Sequence, residues 1–69
     1  MPVPASYEVI DYLKRHGQQA GGTIERYFAD NYKWKPSYIS RICRKLTENG
    51  KLKAEYRTLN NKKYVVYSL

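Results

Sequence analysis

Sixty-nine residues contain one cysteine, Cys43, and one histidine, His16. A single cysteine forms no internal disulfide, and the two residues together fall short of the four Cys or His ligands of a structural zinc site. A chain near the small end of the single-domain range must therefore hold itself together by packing alone. The same scarcity sets enzymes aside: a nucleophile needs a base within reach, His16 lies far from Cys43 in sequence, and no motif joins them. No catalytic residue, metal or cofactor is expected. Long apolar runs are also missing, since nothing approaches the roughly 20 apolar residues of a membrane span. The opening MPVPAS, followed by Tyr7 and Glu8, lacks the basic start and apolar run of a signal peptide. Glycine and proline are few, four and three, against 42% hydrophobic and 28% charged residues, a globular composition without linker or repeat. One indivisible domain over residues 1–69, soluble and intracellular with no membrane partner, is expected.

Acidic residues are scarce and unevenly placed. Residues 1–32 carry Lys14, Arg15 and Arg26 against Glu8, Asp11, Glu25 and Asp30, a net charge of minus one. Residues 33–69 carry ten basic residues (Lys33, Lys35, Arg41, Arg44, Lys45, Lys51, Lys53, Arg57, Lys62, Lys63) against Glu48 and Glu55, a net of plus eight. A positive field concentrated in one half of a small chain attracts a polyanion, and nucleic acid is the commonest one inside a cell. The alternative is a solvated basic face.

Apolar spacing supplies the elements. In residues 5–16, Val9, Ile10 and Leu13 recur at helical intervals with Tyr12 on the flank. Acids lie toward the start, while Lys14, Arg15 and His16 lie toward the end, which suits the helix dipole. Gly17 stops this helix. A loop, GQQAGG, leads to Thr23 as an N-cap, and Ile24, Tyr27 and Phe28 mark one face of a short second helix fading near Asn31 and Tyr32. Pro36 suits the first position of a third helix, with Lys35 as cap, Ser37 as competing cap, and Trp34 placed to staple onto Ile39. Within 36–49, Ile39, Ile42, Cys43 and Leu46 repeat as a buried stripe, and Gly50 follows the end. The opposite face carries Ser37, Arg41, Arg44 and Glu48, flanked by Tyr38, Ser40 and Lys45.

Residues 52–69 read as a hairpin about Asn60-Asn61, a pair that tolerates the positive φ of a two-residue turn. With Leu59 opposite Lys62, Tyr56 faces Val65, Ala54 faces Tyr67, and Leu52 faces Leu69. That register puts Leu52, Ala54, Tyr56, Val65, Tyr67 and Leu69 on one face, and Lys53, Glu55, Arg57, Lys62 and Ser68 on the other. A slip of one residue would destroy the separation. Tyr12, Tyr27, Tyr56 and Tyr67 fall on core faces; Tyr7, Tyr32, Tyr38 and Tyr64 look free. Cys43 belongs to the buried stripe.

Three helices and a basic hairpin resemble the winged helix-turn-helix superfamily over essentially all of residues 5–69. The most telling stretch is IxRICRKLTENGKLK, residues 39–53, where a patterned helix ends in Asn49-Gly50 and enters the first wing strand. Bacterial regulators of the multiple-drug-resistance and arsenic-repressor type, and small fimbrial regulators, are similar there. The segment Ala29–Lys35 looks longer than the family's tight turn, and no helices are added for dimerisation or ligand sensing. The resemblance implies an α+β winged helix, a three-helix bundle with a C-terminal hairpin wing, that binds double-stranded DNA and acts in transcriptional control in a prokaryote or phage. Helix 36–49 would enter the major groove, turning Ser37, Tyr38, Ser40, Arg41, Arg44 and Lys45 toward the bases, with Arg41 and Arg44 suited to guanine. Lys33, Lys35, Arg57, Asn60, Asn61, Lys62 and Lys63 would hold phosphates from the turn and wing, on the backbone or in the minor groove. Phosphate contact or solvated charge is the alternative for each arginine.

The competing functions are a phage-type excisionase or architectural accessory factor, and a winged helix that docks an acidic protein partner. Double-stranded DNA is the expected partner, with a weak homodimer on DNA or a protein partner open and no small-molecule effector. A cytoplasmic, nucleoid-associated location follows from that reading.

Overall fold

The computed structural model describes residues 4–69. Residues 1–3, which open the stretch expected to carry no export signal, lie outside them. The elements run α1 (Ala5–His16), β1 (Gln19–Ala20), α2 (Gly21–Tyr32), α3 (Pro36–Glu48), β2 (Lys53–Leu59) and β3 (Lys62–Ser68). Three helices precede an antiparallel hairpin, the α+β layout of a winged helix.

Helix α1 has the expected bounds and buries Val9, Tyr12 and Leu13. Both α1 and α3 are followed by glycines in the left-handed region, Gly17 at φ 76° and Gly50 at φ 77°, where a side chain would be strained. The segment between α1 and α2 is not a plain loop. Gln19 and Ala20 pair with Tyr67 and Val66 as a short strand, giving a three-stranded sheet in the order β1-β3-β2. Thr23 is consequently not the cap of α2. The helix starts at Gly21, directly after the strand, with Ala20 flanking it and no side-chain cap. Gly21 lies hard against β3, for a Cβ there would sit 3.1 Å from Val65 Cγ1 and 3.3 Å from Tyr67 Cε2.

Helix α2 continues to Tyr32, so its connection to α3 is only Lys33, Trp34 and Lys35. The turn that looked long in the sequence is short because Ala29–Tyr32 are helical. Lys33 closes α2 in the left-handed conformation at φ 60°, its N–H donating to Phe28 O. An L side chain costs about 1–2 kcal/mol in that region relative to glycine, less the glycine's greater unfolded-state entropy. A Lys33→Gly substitution should therefore stabilise the domain by about 1 kcal/mol and raise its thermal midpoint by roughly 4–8 °C, read by circular dichroism.

Lys35 is the residue flanking the start of α3, and its carbonyl accepts from the N–H groups of Tyr38 at 3.0 Å and Ile39 at 3.3 Å. Helix α3 ends at Glu48 rather than Asn49, which is the C-cap. Its buried stripe is Ile39, Cys43 and Leu46, with Ile42 half-buried beside them.

The hairpin register is the one the face pattern demands: Leu59 opposite Lys62, Tyr56 opposite Val65, Ala54 opposite Tyr67. Asn60 and Asn61 both take positive φ, 52° and 63°, as a type I′ turn requires. Two expectations fail in the hairpin. Leu52 does not pair with Leu69, since the ladder stops at Lys53 and Ser68; the Leu52 N–H instead donates to Leu46 O at 3.3 Å, and the side chain is buried against the end of α3 while Leu69 is exposed. Tyr56, on the core-facing side by alternation, is 78% exposed. β2 is the outer strand of the sheet, and on that face only Ala54, Val65 and Tyr67 pack against the core.

The core joins Val9, Tyr12 and Leu13 to Ile24 and Phe28, Ile39, Cys43 and Leu46, closed by Leu52 and Tyr67. Phe28 is fully buried at its centre.

Candidate nucleic-acid interface

The apolar stripe of α3 faces α1 and α2, which turns the opposite side of the helix to solvent. Ser37, Tyr38, Arg41, Arg44 and Lys45 are exposed along that side. Ser40 is half-buried on the flank toward the wing, where it lines a cleft with Arg44, Thr47, Ala54 and Tyr56. Lys33 and Lys35 are exposed in the turn, immediately before this face, and Asn60, Asn61, Lys62 and Lys63 are exposed at the wing tip.

Among the described residues the ion pairs are Arg15 with Asp11 at 3.0 Å and Arg57 with Glu55 at 2.8 Å. Neither uses Arg41, Arg44, Lys45, Lys33, Lys35, Lys62 or Lys63. These seven cations keep their charge available to an outside anion. The acids Glu8, Asp11, Glu25 and Asp30 sit on α1 and α2, and Glu48 is exposed at the end of α3.

The wing cations divide by alternation. Lys63 shares the face of Tyr56, Val65 and Tyr67 that is turned to α3, and it lines a cleft of about 430 Å³ with Glu25, Ser40, Cys43 and Tyr56. Arg57 and Lys62 lie on the other face. Glu55, followed by Tyr64, holds the Arg57 guanidinium above its ordinary pKa, so that cation is already engaged within the wing.

The turn is supported from below by an aromatic stack. Trp34 lies parallel to Phe28 with ring centroids 5.5 Å apart and 13° between planes, and meets Tyr38 edge-on at 6.0 Å. Tyr32 packs on Trp34 at 4.7 Å, and its hydroxyl donates to Glu8 Oε2 at 2.9 Å, tying the end of α2 to α1. Trp34, which the sequence places as a staple before α3, is half-buried and packs onto the core through Phe28.

Cys43 is buried beneath the exposed face, and burial, with Glu25 nearby, pushes its thiol up to about 12. It stays protonated at neutral pH and packs as a small hydrophobe.

Sequence reasoning missed two residues. Tyr56 reads as core in the sequence because alternation reports the face of a strand and not whether the helices cover that part of it. Arg26, in the half of the chain with a net charge of minus one, is brought by the start of α2 beside Leu59 and Tyr64 of the wing; nothing in the linear sequence signals that proximity.

No family model matches the chain, and no curated protein matches it. Among solved structures it is similar to Stf76 from the Sulfolobus islandicus plasmid-virus pSSVx, with a TM-score of 0.76 over 97% of this chain and 82% of that one. The two proteins share a fold. At 18% identity the likeness concerns the path of the backbone and not the side chains that would meet a partner. Among the described residues no helix is long and apolar enough to cross a membrane.

Proposed function

We propose that the chain binds double-stranded DNA as a small transcriptional regulator, with α3 in the major groove and the wing against the flanking backbone or minor groove. The observation that carries this reading is the face of α3: Arg41, Arg44 and Lys45 are exposed, outside the ion pairs among the described residues, and interleaved with Ser37 and Tyr38. An α-helix fits the major groove of B-DNA, and an arginine there can bond both guanine O6 and N7. Lys33 and Lys35 at the start of α3, and Lys62 and Lys63 at the wing tip, lie at the two ends of the surface and suit phosphates. Arg57, engaged with Glu55, contributes less to that contact than Lys62 or Lys63.

The test is fluorescence-anisotropy titration against random duplex DNA, single-stranded DNA and duplex RNA across a salt series. Preference for duplex DNA with a steep salt dependence supports the reading. Failure to bind any nucleic acid at low salt would refute it and turn attention to acidic protein partners. Within that assay Lys62→Ala should weaken every duplex sequence alike and flatten the salt dependence by about one unit of slope, as the loss of one phosphate contact does.

A further inference from the structure

Among the described residues, strand β2 is an open edge of the sheet: the order β1-β3-β2 leaves its outer side without a neighbour over Lys53–Leu59. Open edges invite pairing with another chain unless something guards them. The backbone direction along this edge follows from the turn. In a two-residue turn the flanking residues bond each other, so Leu59 and Lys62 form a hydrogen-bonded pair. By alternation Arg57, Glu55 and Lys53 also point their N–H and C=O groups at β3, while Thr58, Tyr56 and Ala54 point theirs outward.

We propose that β2 is a self-complementary docking edge and that its occupant is β2 of a second copy of this chain, antiparallel, with Tyr56 opposite Tyr56 at a two-fold axis. This register places Ala54 opposite Thr58 twice, so all three outward-pointing residues of each copy meet hydrogen-bonding partners. On one face Glu55 of each copy falls opposite Arg57 of the other. On the opposite face the two Tyr56 rings meet, which gives the 78% exposed aromatic a cover that the isolated chain does not. Leu59, 64% exposed, falls opposite Lys53, whose methylene stem can lie along it.

The neighbouring registers are worse by charge. Centring on Glu55 sets it against itself and Lys53 against Arg57, and centring on Arg57 sets two guanidinium groups face to face. The 2.8 Å ion pair between Glu55 and Arg57 within one chain shows that both side chains lie on the same face of β2, as the exchange between copies requires. The axis stands perpendicular to the sheet, so the six-stranded sheet formed would carry both α3 helices on one side, the arrangement a two-fold DNA site needs.

Sedimentation equilibrium and native mass spectrometry on the free protein test this without reference to DNA. The wild-type chain should be a concentration-dependent dimer. Glu55→Arg alone and Arg57→Glu alone each turn two attractive cross-strand pairs into repulsive ones and should weaken the dimer by about tenfold or more. Both residues are exposed, so each variant should keep the wild-type circular dichroism. Mixing the two variants restores the attraction, because one copy then carries arginine at both positions and the other carries glutamate at both. Each cross-strand pair again sets a guanidinium opposite a carboxylate, and a heterodimer should form at the expense of either homodimer. A wild-type chain that sediments as a monomer throughout, single variants that pair as the wild type does, or a mixture without heterodimer would each overturn the proposal.

Discussion

A Phe28→Ala chain will lose about 3–5 kcal/mol of stability and be substantially unfolded at 37 °C. Phe28 is fully buried and touches an aromatic neighbour on nearly every side: Tyr27 at 4.9 Å, Tyr32 at 5.1 Å, Trp34 at 5.5 Å and Tyr12 at 5.8 Å between ring centroids. Removing the ring leaves a cavity that these rigid side chains close only in part, so the transfer loss and the cavity loss add. A 69-residue domain has only a few kcal/mol in hand, on the scale of about 0.05–0.15 kcal/mol per residue, and Cys43 as lone thiol offers no disulfide to make up the deficit. Urea unfolding followed by the fluorescence of Trp34, the single tryptophan, reads the effect where it occurs. Phe28→Leu, which keeps much of the volume, should cost less than about 1.5 kcal/mol. A loss below about 1 kcal/mol for the alanine variant would mean that the core is centred elsewhere.

That substitution also tests how the core sets the outer surface. The ring of Phe28 carries Trp34, and Trp34 carries Tyr38 in the first turn of α3. A folded remnant of the alanine variant under stabilising conditions would start α3 in the wrong place, so its DNA binding should fall further than its folded fraction.

The helices and the hairpin were legible because each rests on signals that agree. Apolar spacing, a charge gradient and Gly17 fix α1; Pro36 and the Ile39-Cys43-Leu46 stripe fix α3; Asn60-Asn61 and the face pattern fix the register of the wing. What was illegible depends on contacts between distant segments. Two residues, Gln19 and Ala20, form a strand only because β3 offers them an unpaired edge, and that pairing moves the start of α2 back to Gly21. Leu52 follows the end of α3 instead of its own strand for the same reason: Leu46 O and the core reach it before Leu69 does. Tyr56 shows the limit most plainly. Period-two patterning gave its face correctly, but its burial depends on where the helical layer ends, a property of the assembled fold. The exposed positions of the candidate interface were readable for the opposite reason, since a cationic face on a helix needs only the helix and its buried stripe to be placed.

The Arg41→Ala/Arg44→Ala double variant should keep the fold and lose the choice of sequence. Both side chains are exposed and outside the ion pairs, and alanine favours a helix interior, so stability should stay within about 0.5 kcal/mol of wild type. Selection from a randomised duplex pool would first define the preferred site of the wild-type chain. On that site, two bidentate arginine–guanine contacts at about 1–3 kcal/mol each predict a loss of roughly 30-fold to 10⁴-fold, with the two losses close to additive if the bases they read are separate. On random duplex DNA the variant should lose much less, because Lys33, Lys35, Lys45, Lys62 and Lys63 still hold the phosphates that supply nonspecific affinity. The two arginines differ from those lysines in geometry as well as position: a planar fork reads a base edge, whereas an ammonium on a flexible stem serves as a point charge. Equal losses on the selected site and on random DNA would assign Arg41 and Arg44 to phosphates and leave a protein that binds duplexes without reading them. A selective loss would make α3 the reading element, and the spacing of the selected half-sites would then measure how far apart two copies hold their helices.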